Sequence, residues 1–323
     1  MKMAVIGCGR ISESHFEAIN MLGEKAELTA VVDIDAERAK TTAREYGAKK
    51  YYTSTAELWK DSEVEGVDIC LPFNLHAPVA IEAARARKHV LVEKPMALTT
   101  QECDLMIAEA EKNNVRLMVG QSRRFNGPLK KAKEIIETGQ IGELLHISYR
   151  LGSKVSEAAV PWWNIPEITG QSNLLYNWGS HIIDQIIWIA GRKPIRVYAE
   201  GLSKNPAVYG FDEIAAVFGF NHGLMADYQH SYNNNFAGDT IVYLGTKGTV
   251  AFKGDDVFLN DGKIQPEDKI TNNFTAQLKE FIESVEQKRE PLTSGKRIRP
   301  VIEVLEAIIE SIKQHKLIKL KEC

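Results

Sequence analysis

The stretch His89-Val90-Leu91-Val92-Glu93-Lys94-Pro95-Met96 is an apolar run that stops at a charged pair followed by proline. Its centre, Val90 to Val92, has the continuous aliphatic residues of a strand buried on both faces, as in a parallel sheet covered by helices. Pro95 cannot donate to a sheet ladder and holds Lys94 in an extended conformation, so the strand ends in a restricted turn. In open α/β sheets, ligands bind at this end of the strands.

Lys94 is a candidate for proton transfer to a substrate oxygen. An acidic neighbour and a proline fix it at the carboxyl end of a buried strand, where a substrate would bind. A surface lysine whose aliphatic stem lies on apolar neighbours would give the same local pattern. The rest of the chain decides between these two interpretations.

Length and composition indicate a globular protein of two domains. The chain has 323 residues, 44% hydrophobic and 26% charged, and domains commonly hold about 100–200 residues. The formal net charge of −3 predicts no nucleic-acid partner. No apolar run approaches the roughly 20 residues that span a bilayer, and no signal-peptide core follows Met1, so no membrane association is expected. Four cysteines without a C-x-x-C pair favour a cytoplasmic location and give no metal motif.

Strand and helix patterns alternate through the first third of the chain. Strands separated by helices of this length are typical of βαβ units with a parallel sheet. The predicted strands are Met3–Ile6, Leu28–Val32, Lys49–Tyr52, Val67–Leu71, His89–Val92 and Arg116–Val119. The predicted helices are Ser14–Leu22, Ala36–Tyr46, Thr55–Lys60, Pro78–Arg87 and Thr99–Asn113. We therefore predict an α/β fold that begins with a doubly wound Rossmann domain in residues 1–121.

The first strand leads into Gly7-Cys8-Gly9-Arg10-Ile11-Ser12, which predicts a dinucleotide site. Gly7 permits the tight turn, and Gly9 lets the backbone approach a pyrophosphate held by the N-terminus of the following helix. Ser12 stands where the motif has a third glycine or alanine, and it is small enough for close helix packing. Two glycines alone are weak evidence, so the surrounding strand, turn and helix carry the prediction.

An acidic residue follows the second strand where the ribose of a dinucleotide would lie. Asp33 follows Gly9 at close to the spacing of about 20 residues found in dinucleotide-binding folds. Its carboxylate would accept hydrogen bonds from the ribose and repel a 2′-phosphate, which favours NAD over NADP. Asp35 is assigned instead to the cap of the next helix. Arg38, one turn into that helix, tolerates a phosphate, so NADP remains the less favoured cofactor.

Further motifs resemble the Gfo/Idh/MocA oxidoreductase family, named for glucose–fructose oxidoreductase and inositol dehydrogenase. Glu93-Lys94-Pro95, followed at this distance by Gly179-Ser180-His181-Ile182-Ile183-Asp184, is specific, and the likeness covers essentially the whole chain. The other motifs are Gly7 to Ser12, Asp33, Pro72 to His76, Arg123-Arg124-Phe125, Gly139 to Gly142 and Gly245 to Gly248. The resemblance implies a second α/β domain, residues 122–323, with a large, mostly antiparallel sheet. This domain would carry the substrate site and pack subunits into a homodimer or homotetramer.

The residues of the second part support this fold independently. Segments of strand composition lie at hairpin-like spacing, several with alternating apolar and polar residues. They are Glu143–Leu151, Ile195–Leu202, Asp212–Asn221, Leu224–Tyr232, Thr240–Leu244 and Thr249–Lys253. Helical spacing predicts a helix over Leu174–Ala190 and a scaffold helix over Arg297–Lys313.

The helix predicted over Leu174–Ala190 combines an apolar stripe with a polar set. The stripe, expected to be buried, is Leu175, Trp178, Ile182, Ile186 and Ile189. Asn177, His181 and Asp184 lie at i, i+4 and i+7 on a different face. A lone histidine near an apolar face is more often a packed core residue. The resemblance favours the functional interpretation, because the family's catalytic histidine falls on His181.

The resemblance also implies the remaining site residues. The predicted cofactor-binding residues are Gly7, Gly9, Arg10, Ile11, Asp33, Arg38, Pro72, Asn74, His76, Glu93, Lys94 and Trp163. Arg124 and Asp184 would line the substrate side. Asn177 stands where many members of the family have aspartate, and Asn164 stands where arginine is common, so the pocket is expected to suit a particular substrate.

The expected activity is reversible hydride transfer between NAD and a secondary alcohol of a sugar, cyclitol or related polyol. In oxidation, His181 would remove the hydroxyl proton while Lys94 orients the oxygen and stabilises its negative charge, and reduction reverses these roles. Asn177 would orient His181 without the charge that favours the imidazolium. No metal is expected. Two alternatives remain open: a non-catalytic NAD-binding sensor or regulator, and an NAD-dependent glycosidase.

Overall fold

The structure, a computed structural model, describes residues 1–234, 239–254, 256–264 and 272–321. So far as they are described, Met1–Phe125 and Thr271–Arg299 form one unit, and Asn126–Ile270 and Pro300–Cys323 form the other. The chain therefore returns to the first unit after most of the second is complete. A single domain boundary after residue 121 would place this returning segment in the second domain.

The first unit contains a six-stranded parallel sheet. Its strands are β1 (Lys2–Ile6), β2 (Glu27–Val32), β3 (Lys50–Tyr52), β4 (Gly66–Ile69), β5 (His89–Glu93) and β6 (Leu117–Gly120). All neighbouring strands pair in parallel, in the order β3-β2-β1-β4-β5-β6, which confirms the predicted Rossmann arrangement. Val90, Leu91 and Val92 are fully buried, as the aliphatic run predicted.

The structure adds two long helices to those predicted from the sequence. In the described residues they are α1 (Ser12–Leu22), α2 (Ala36–Tyr46), α3 (Thr55–Leu58), α4 (His76–Arg85), α5 (Thr100–Lys112), α6 (Gly127–Glu137), α7 (Pro166–Thr169), α8 (Ser180–Ala190), α9 (Asn273–Glu286) and α10 (Gly295–Gln314). Of these, α6 and α9 are additional to the long helices predicted from the sequence. None of the described helices is long and apolar enough to cross a membrane.

Helix α9 explains why the chain returns to the first unit. It packs against α1, and its residues Leu278, Phe281 and Ile282 are buried in the same apolar cluster as Phe16 and Ile19 of α1. The amphipathic spacing of α9 thus completes the cover over one face of the parallel sheet.

Local signals set the ends of α2. The Asp35 side chain accepts hydrogen bonds from the N–H groups of Glu37 and Arg38, which confirms its prediction as the helix cap. At the other end, Gly47 adopts a left-handed conformation with φ +75°, which glycine tolerates and which terminates the helix. Asp33 is thereby left outside the cap, at the end of β2.

The second unit contains a nine-stranded sheet. Its strands are β7 (Leu144–Gly152), β8 (Arg196–Leu202), β9 (Glu213–Gly219), β10 (Met225–Ser231), β11 (Thr240–Gly245), β12 (Thr249–Lys253), β13 (Asp256–Leu259), β14 (Gly262–Ile264) and β15 (Ile318–Lys319). The order is β14-β13-β12-β11-β7-β10-β9-β8-β15. Among the described strand pairs β7 and β10 run parallel and the others antiparallel, which confirms the predicted sheet type.

The two faces of this sheet differ. Inward side chains such as Tyr149 are fully buried, and the Tyr149 hydroxyl donates to Gln185 Oε1 of α8 at 3.2 Å. On the other face Tyr198, Val217 and Met225 remain 41%, 54% and 49% exposed. One face therefore packs under α8 and the other presents apolar side chains to the outside.

Replacing Gly7 tests the glycine turn independently of any ligand. Gly7 has φ +95°, and a Cβ added there would lie 2.4 Å from the Cys70 carbonyl oxygen, whereas one added at Gly9 meets no described atom within 4 Å. We expect Gly7→Ala to lower the free energy of unfolding by about 1–3 kcal/mol or more and Gly9→Ala to change it by less than about 0.5 kcal/mol. Denaturant unfolding without nucleotide measures both, and equal losses would contradict the argument.

Candidate active site

The glycine turn of the first unit is tied to the end of the neighbouring strand. Gly7 N–H donates to the Val32 carbonyl at 2.8 Å, and Cys8 N–H donates to Asp33 Oδ2 at 2.9 Å. Ser12 is buried, and its hydroxyl donates to the Gly9 carbonyl at 2.5 Å, which braces the turn where the motif has a third small residue. The exposed residues after this bend, Arg10 and Ile11, lead into α1.

The N-terminus of α1 and the open space at Gly9 fit a pyrophosphate. Ile11 occupies the N-cap of α1, and its apolar side chain accepts no hydrogen bond from the N–H groups of the first turn. An added Cβ at Gly9 would occupy space that is open in the described structure. A helix N-terminus with this approach is a general anion site.

Asp33 is placed to receive a ribose. It is 8% exposed; Oδ1 accepts the Asp35 N–H at 2.9 Å and contacts Arg38 Nη1 at 3.3 Å. Arg38 Nη1 also lies 3.4 Å from Oδ2, so together with the Cys8 bond these contacts take up the about four acceptor positions of a carboxylate, and a ribose hydroxyl would replace the long contacts to Arg38. Arg38 is half exposed and also contacts Asp35, at 3.3 Å. Its guanidinium is thus held by two carboxylates, which would compete with a 2′-phosphate.

The turn after β4 contributes one unsatisfied polar atom. Asn74 Oδ1 is buried and has no hydrogen-bond partner among the described residues. Buried acceptors normally have a partner, so this one suits a ligand donor. Pro72 is the N-cap of the short helical segment Phe73–Leu75, which contains Asn74.

His76 links two strand ends. It is fully buried, with ring nitrogens 2.7 Å from the Pro95 carbonyl oxygen and 2.8 Å from the Leu71 carbonyl oxygen. Burial lowers its pKa, although both carbonyls oppose that change. The ring therefore positions the Lys94-Pro95 turn, and a cofactor contact through either nitrogen would replace one of these bonds.

Lys94 has the electrostatic setting of an acid–base group. It is partly buried, and burial lowers its pKa to about 8, with Arg123 acting in the same direction and Glu93 in the opposite one. The Lys94 backbone N–H donates to Glu93 Oε2 at 3.1 Å. A lysine that titrates near neutral pH can both hold and release a proton during turnover.

Sequence reasoning missed a buried polar pair, His15 and Asp68, of which His15 contacts Glu93. His15 on α1 places Nε2 3.1 Å from Glu93 Oε1 and Nδ1 2.6 Å from Asp68 Oδ2. A sequence signal was present, because Asp68 interrupts the apolar strand pattern and His15 stands beside Phe16 on the buried face of α1.

The helix around His181 departs from the predicted regular spacing. Leu175–Gly179 is a π-helix that runs directly into α8. Its wider turns shift the faces, so Trp178 is 38% exposed and the prediction that it belongs to the buried stripe is wrong. The other stripe residues, Leu175, Ile182, Ile186 and Ile189, are buried. π-Segments inside α-helices occur frequently at functional sites.

The polar residues of this helix are themselves largely buried. His181 is 9% exposed and Asp184 is 1% exposed, while Asn177 in the π-segment is partly exposed. They therefore do not form the solvent-facing side of an amphipathic helix. Burying a polar side chain costs free energy unless hydrogen bonds compensate, so polar residues are uncommon at such positions of a helix.

Strand β10 and the residue that follows it supply neighbours of Trp178, the ring beside His181, that sequence reasoning missed. The Trp178 ring centre lies 6.4 Å from those of both His181 and His230, and His230 lies 5.4 Å from Tyr232. The Tyr228 hydroxyl lies 2.8 Å from His230 Nδ1, and burial lowers the His230 pKa to about 3, so His230 is neutral. Burial raises the pKa of Tyr232, and Asn177 opposes that rise. The period-2 spacing of residues 228, 230 and 232 is the signal that could have identified them.

Two further predicted residues lie in short helical segments. Arg124 belongs to Ser122–Phe125 of the first unit, and its Nη1 donates to the Leu292 carbonyl at 3.5 Å. Trp163 belongs to Pro161–Asn164 of the second unit, and its carbonyl accepts the Tyr209 N–H at 3.3 Å. The structure thus gathers the glycine turn, Asp33, Asn74 and Lys94 at one sheet edge, and gathers Asn177 and His181 around β10.

The fold and the glycine turn are those of a nucleotide-binding protein with two α/β units, and comparison with known proteins identifies its class. Residues 1–121 match the model described as "Oxidoreductase family, NAD-binding Rossmann fold", and residues 129–251 match the "GFO/IDH/MocA C-terminal domain". The chain belongs to the GFO/IDH/MocA oxidoreductase family, which confirms the resemblance seen in the sequence.

Similar proteins extend over the whole chain. Myo-inositol 2-dehydrogenase of Thermotoga maritima is 27% identical, covering 100% of this chain and 99% of the relative. An uncharacterized oxidoreductase of Bacillus subtilis, YrbE, is 31% identical, covering 76% of this chain and 72% of the relative. The crystal structure of aldose-aldose oxidoreductase from Caulobacter crescentus, complexed with glycerol, superposes with a TM-score of 0.92 at 25% identity and covers 99% of each chain.

Proposed function

We propose that this protein transfers a hydride between the nicotinamide of NAD and a secondary alcohol or ketone of a sugar, cyclitol or related polyol. The observation that carries the proposal is Lys94, whose pKa burial lowers to about 8, at the carboxyl end of a buried strand in an NAD-binding Rossmann domain. Relatives named for inositol and aldose oxidation support the substrate class.

The chain's own residues would hold the cofactor at the edge of the parallel sheet. The open approach at Gly9 and the N-terminus of α1 suit the pyrophosphate, and Asp33 suits the adenosine ribose. The buried Asn74 Oδ1 offers an acceptor that the described residues leave unpaired. When bound, NAD supplies the group that accepts or returns the hydride.

Lys94 and His181 would divide the proton chemistry. We assign to Lys94 the orientation of the substrate oxygen and the stabilisation of its negative charge, and to His181 the removal of the hydroxyl proton in oxidation. Asn177 would orient the imidazole, and because it is neutral it adds no charge favouring imidazolium. Arg124 and Asp184 are assigned to the polyol hydroxyls.

Exchanging Asp33 tests the preference for NAD. Asp33→Ala removes the carboxylate that would accept the ribose hydroxyls and repel a 2′-phosphate, so NAD should bind about tenfold or more weakly and the NAD/NADP affinity ratio should fall. Thr99→Ala is the matched control, because it removes the cap of α5 and costs about 1 kcal/mol of stability without touching the contacts of Asp33 or Arg38. Calorimetric titration with both nucleotides measures the ratio, and an unchanged ratio in Asp33→Ala would contradict the assignment.

Exchanging Lys94 tests its chemical role. Lys94→Ala should lower turnover by about 100-fold or more while NAD affinity stays within a few-fold, because the side chain acts on the reacting oxygen. In the wild type, the reduction rate should fall as pH rises through about 8, since the ammonium that stabilises the negative charge developing on the oxygen is lost above its pKa. Steady-state rates from pH 6 to 10 measure both effects. Turnover retained by Lys94→Ala would remove this residue from the mechanism.

We also propose that the protein forms a homodimer or homotetramer through the outward face of its nine-stranded sheet and works in the cytoplasm. Exposed apolar residues on that face, Val217 and Met225 among them, suit a self-association surface. Val217→Lys should shift the protein toward the monomer in sedimentation velocity, whereas Leu105→Lys, at an equally exposed site on α5, should not. A wild-type monomer at micromolar concentration would contradict the proposal.

A further inference from the structure

A buried chain of polar contacts runs from β4 to the backbone of Lys94. Asp68, 0% exposed, places Oδ2 2.6 Å from His15 Nδ1, and His15, 2% exposed, places Nε2 3.1 Å from Glu93 Oε1. The second Glu93 oxygen accepts the Lys94 N–H at 3.1 Å. All four residues belong to the first unit.

The geometry favours a proton on both nitrogens of His15. Each nitrogen faces a carboxylate, and an ionised carboxylate only accepts hydrogen bonds. Burial opposes a charged ring, but Asp68 above all raises the His15 pKa well above its usual value. A neutral ring would leave two buried carboxylates with no opposite charge between them, which is costly in a low-dielectric interior. His15 is therefore an imidazolium at neutral pH.

The Glu93 carboxylate has little freedom to leave this position. A Cβ added at Gly120 of β6 would lie 2.8 Å from Glu93 Oε1, so the backbone of β6 packs directly against the carboxylate. The His15 ring is held from its other side by Phe274 of α9, with ring centres 5.0 Å apart. Packing against β6 and α9 thus holds Glu93 and His15 in place within the chain of contacts from Asp68 to Lys94.

We propose that His15 is a positioning residue for the reaction. Its imidazolium balances the negative charge of Glu93 from the side opposite Lys94 and thereby sets how readily the Lys94 ammonium releases its proton. With the imidazolium in place, Asp68, His15 and Glu93 together carry one net negative charge. Without it they carry two, and Glu93 acts on Lys94 at full strength. Only the consequence for turnover depends on the proposed function; the charge arrangement does not.

The charged and titratable groups around this chain are few enough to be named. Glu93 and Arg123 act on Lys94, and the Lys94 charge also reaches His76. His15 faces Asp68, Glu93 and the Cys70 thiol. His15, Asp68 and Cys70 also have donor atoms within 4.8 Å of one another, but both His15 nitrogens already contact carboxylates, so the imidazole offers no nitrogen to a metal ion.

The titration of Lys94 in a His15 variant tests the proposal directly. In His15→Asn, the NMR titration midpoint of the isotope-labelled Lys94 side chain should rise by about one pH unit, because the imidazolium no longer balances Glu93 and the carboxylate holds the ammonium more strongly. His89→Gln is the matched control: it alters a partly buried histidine at the opposite end of the same strand, whose Nδ1 accepts the Arg116 N–H at 2.9 Å. It should leave the Lys94 midpoint unchanged. An unchanged or lowered midpoint in His15→Asn would overturn the proposal.

A measurement on the wild type guards against a variant that fails to fold. Nitrogen-15 shifts of His15 should report a doubly protonated ring at pH 7.5, and a neutral ring there would overturn the proposal without any substitution. Once a substrate is known, the alkaline limb of the reduction rate should move upward with the Lys94 midpoint in His15→Asn. Failure to turn over any polyol would count against the proposed function, while both NMR results would still decide the role of His15.

Discussion

The buried carboxylate of Glu93 is the constraint on which the first unit depends. It ends a strand whose preceding residues are fully buried, so it must be satisfied from within the fold. Helix α1 supplies His15, the next residue supplies its own N–H, and β6 supplies a glycine that leaves room for the side chain. His76 holds the following turn through the Pro95 carbonyl. The glycine motif, the end of β5 and β6 are therefore parts of one polar arrangement around Lys94.

The second unit also buries polar side chains beside its helix α8. His181 and Asp184 lie on a helix that is almost wholly buried, and the neighbouring His230 is kept uncharged by burial. The π-segment before α8 turns Trp178 outward and sets its ring beside both histidines. Asn177 suits this surrounding, since a carboxylate there would add a charge beside the buried Tyr232. The neutral side chain of Asn177 therefore avoids a charge beside Tyr232.

Local signals made much of the fold predictable, and contacts between distant residues account for what was missed. Periodicity and turn residues identified the six strands of the parallel sheet, and they separated the capping Asp35 from the adjacent Asp33. The pairing of His15 with Asp68 joins residues 53 positions apart, which no local pattern contains. The return of α9 depends on apolar packing against α1, and the π-segment depends on its surroundings rather than on propensity. The positions of the cofactor and substrate residues stay predictions.

The most direct test of the proposed function is formation of NADH by the wild-type protein with NAD and a panel of inositols, aldoses and alditols. We expect reduction of NAD with at least one of these polyols, and oxidation of NADH with the corresponding ketone or lactone. Tight NAD binding without turnover of any member would contradict it and favour a sensor or regulator. Cleavage of aryl glycosides with no net NADH would contradict it as well, and would favour an NAD-dependent glycosidase.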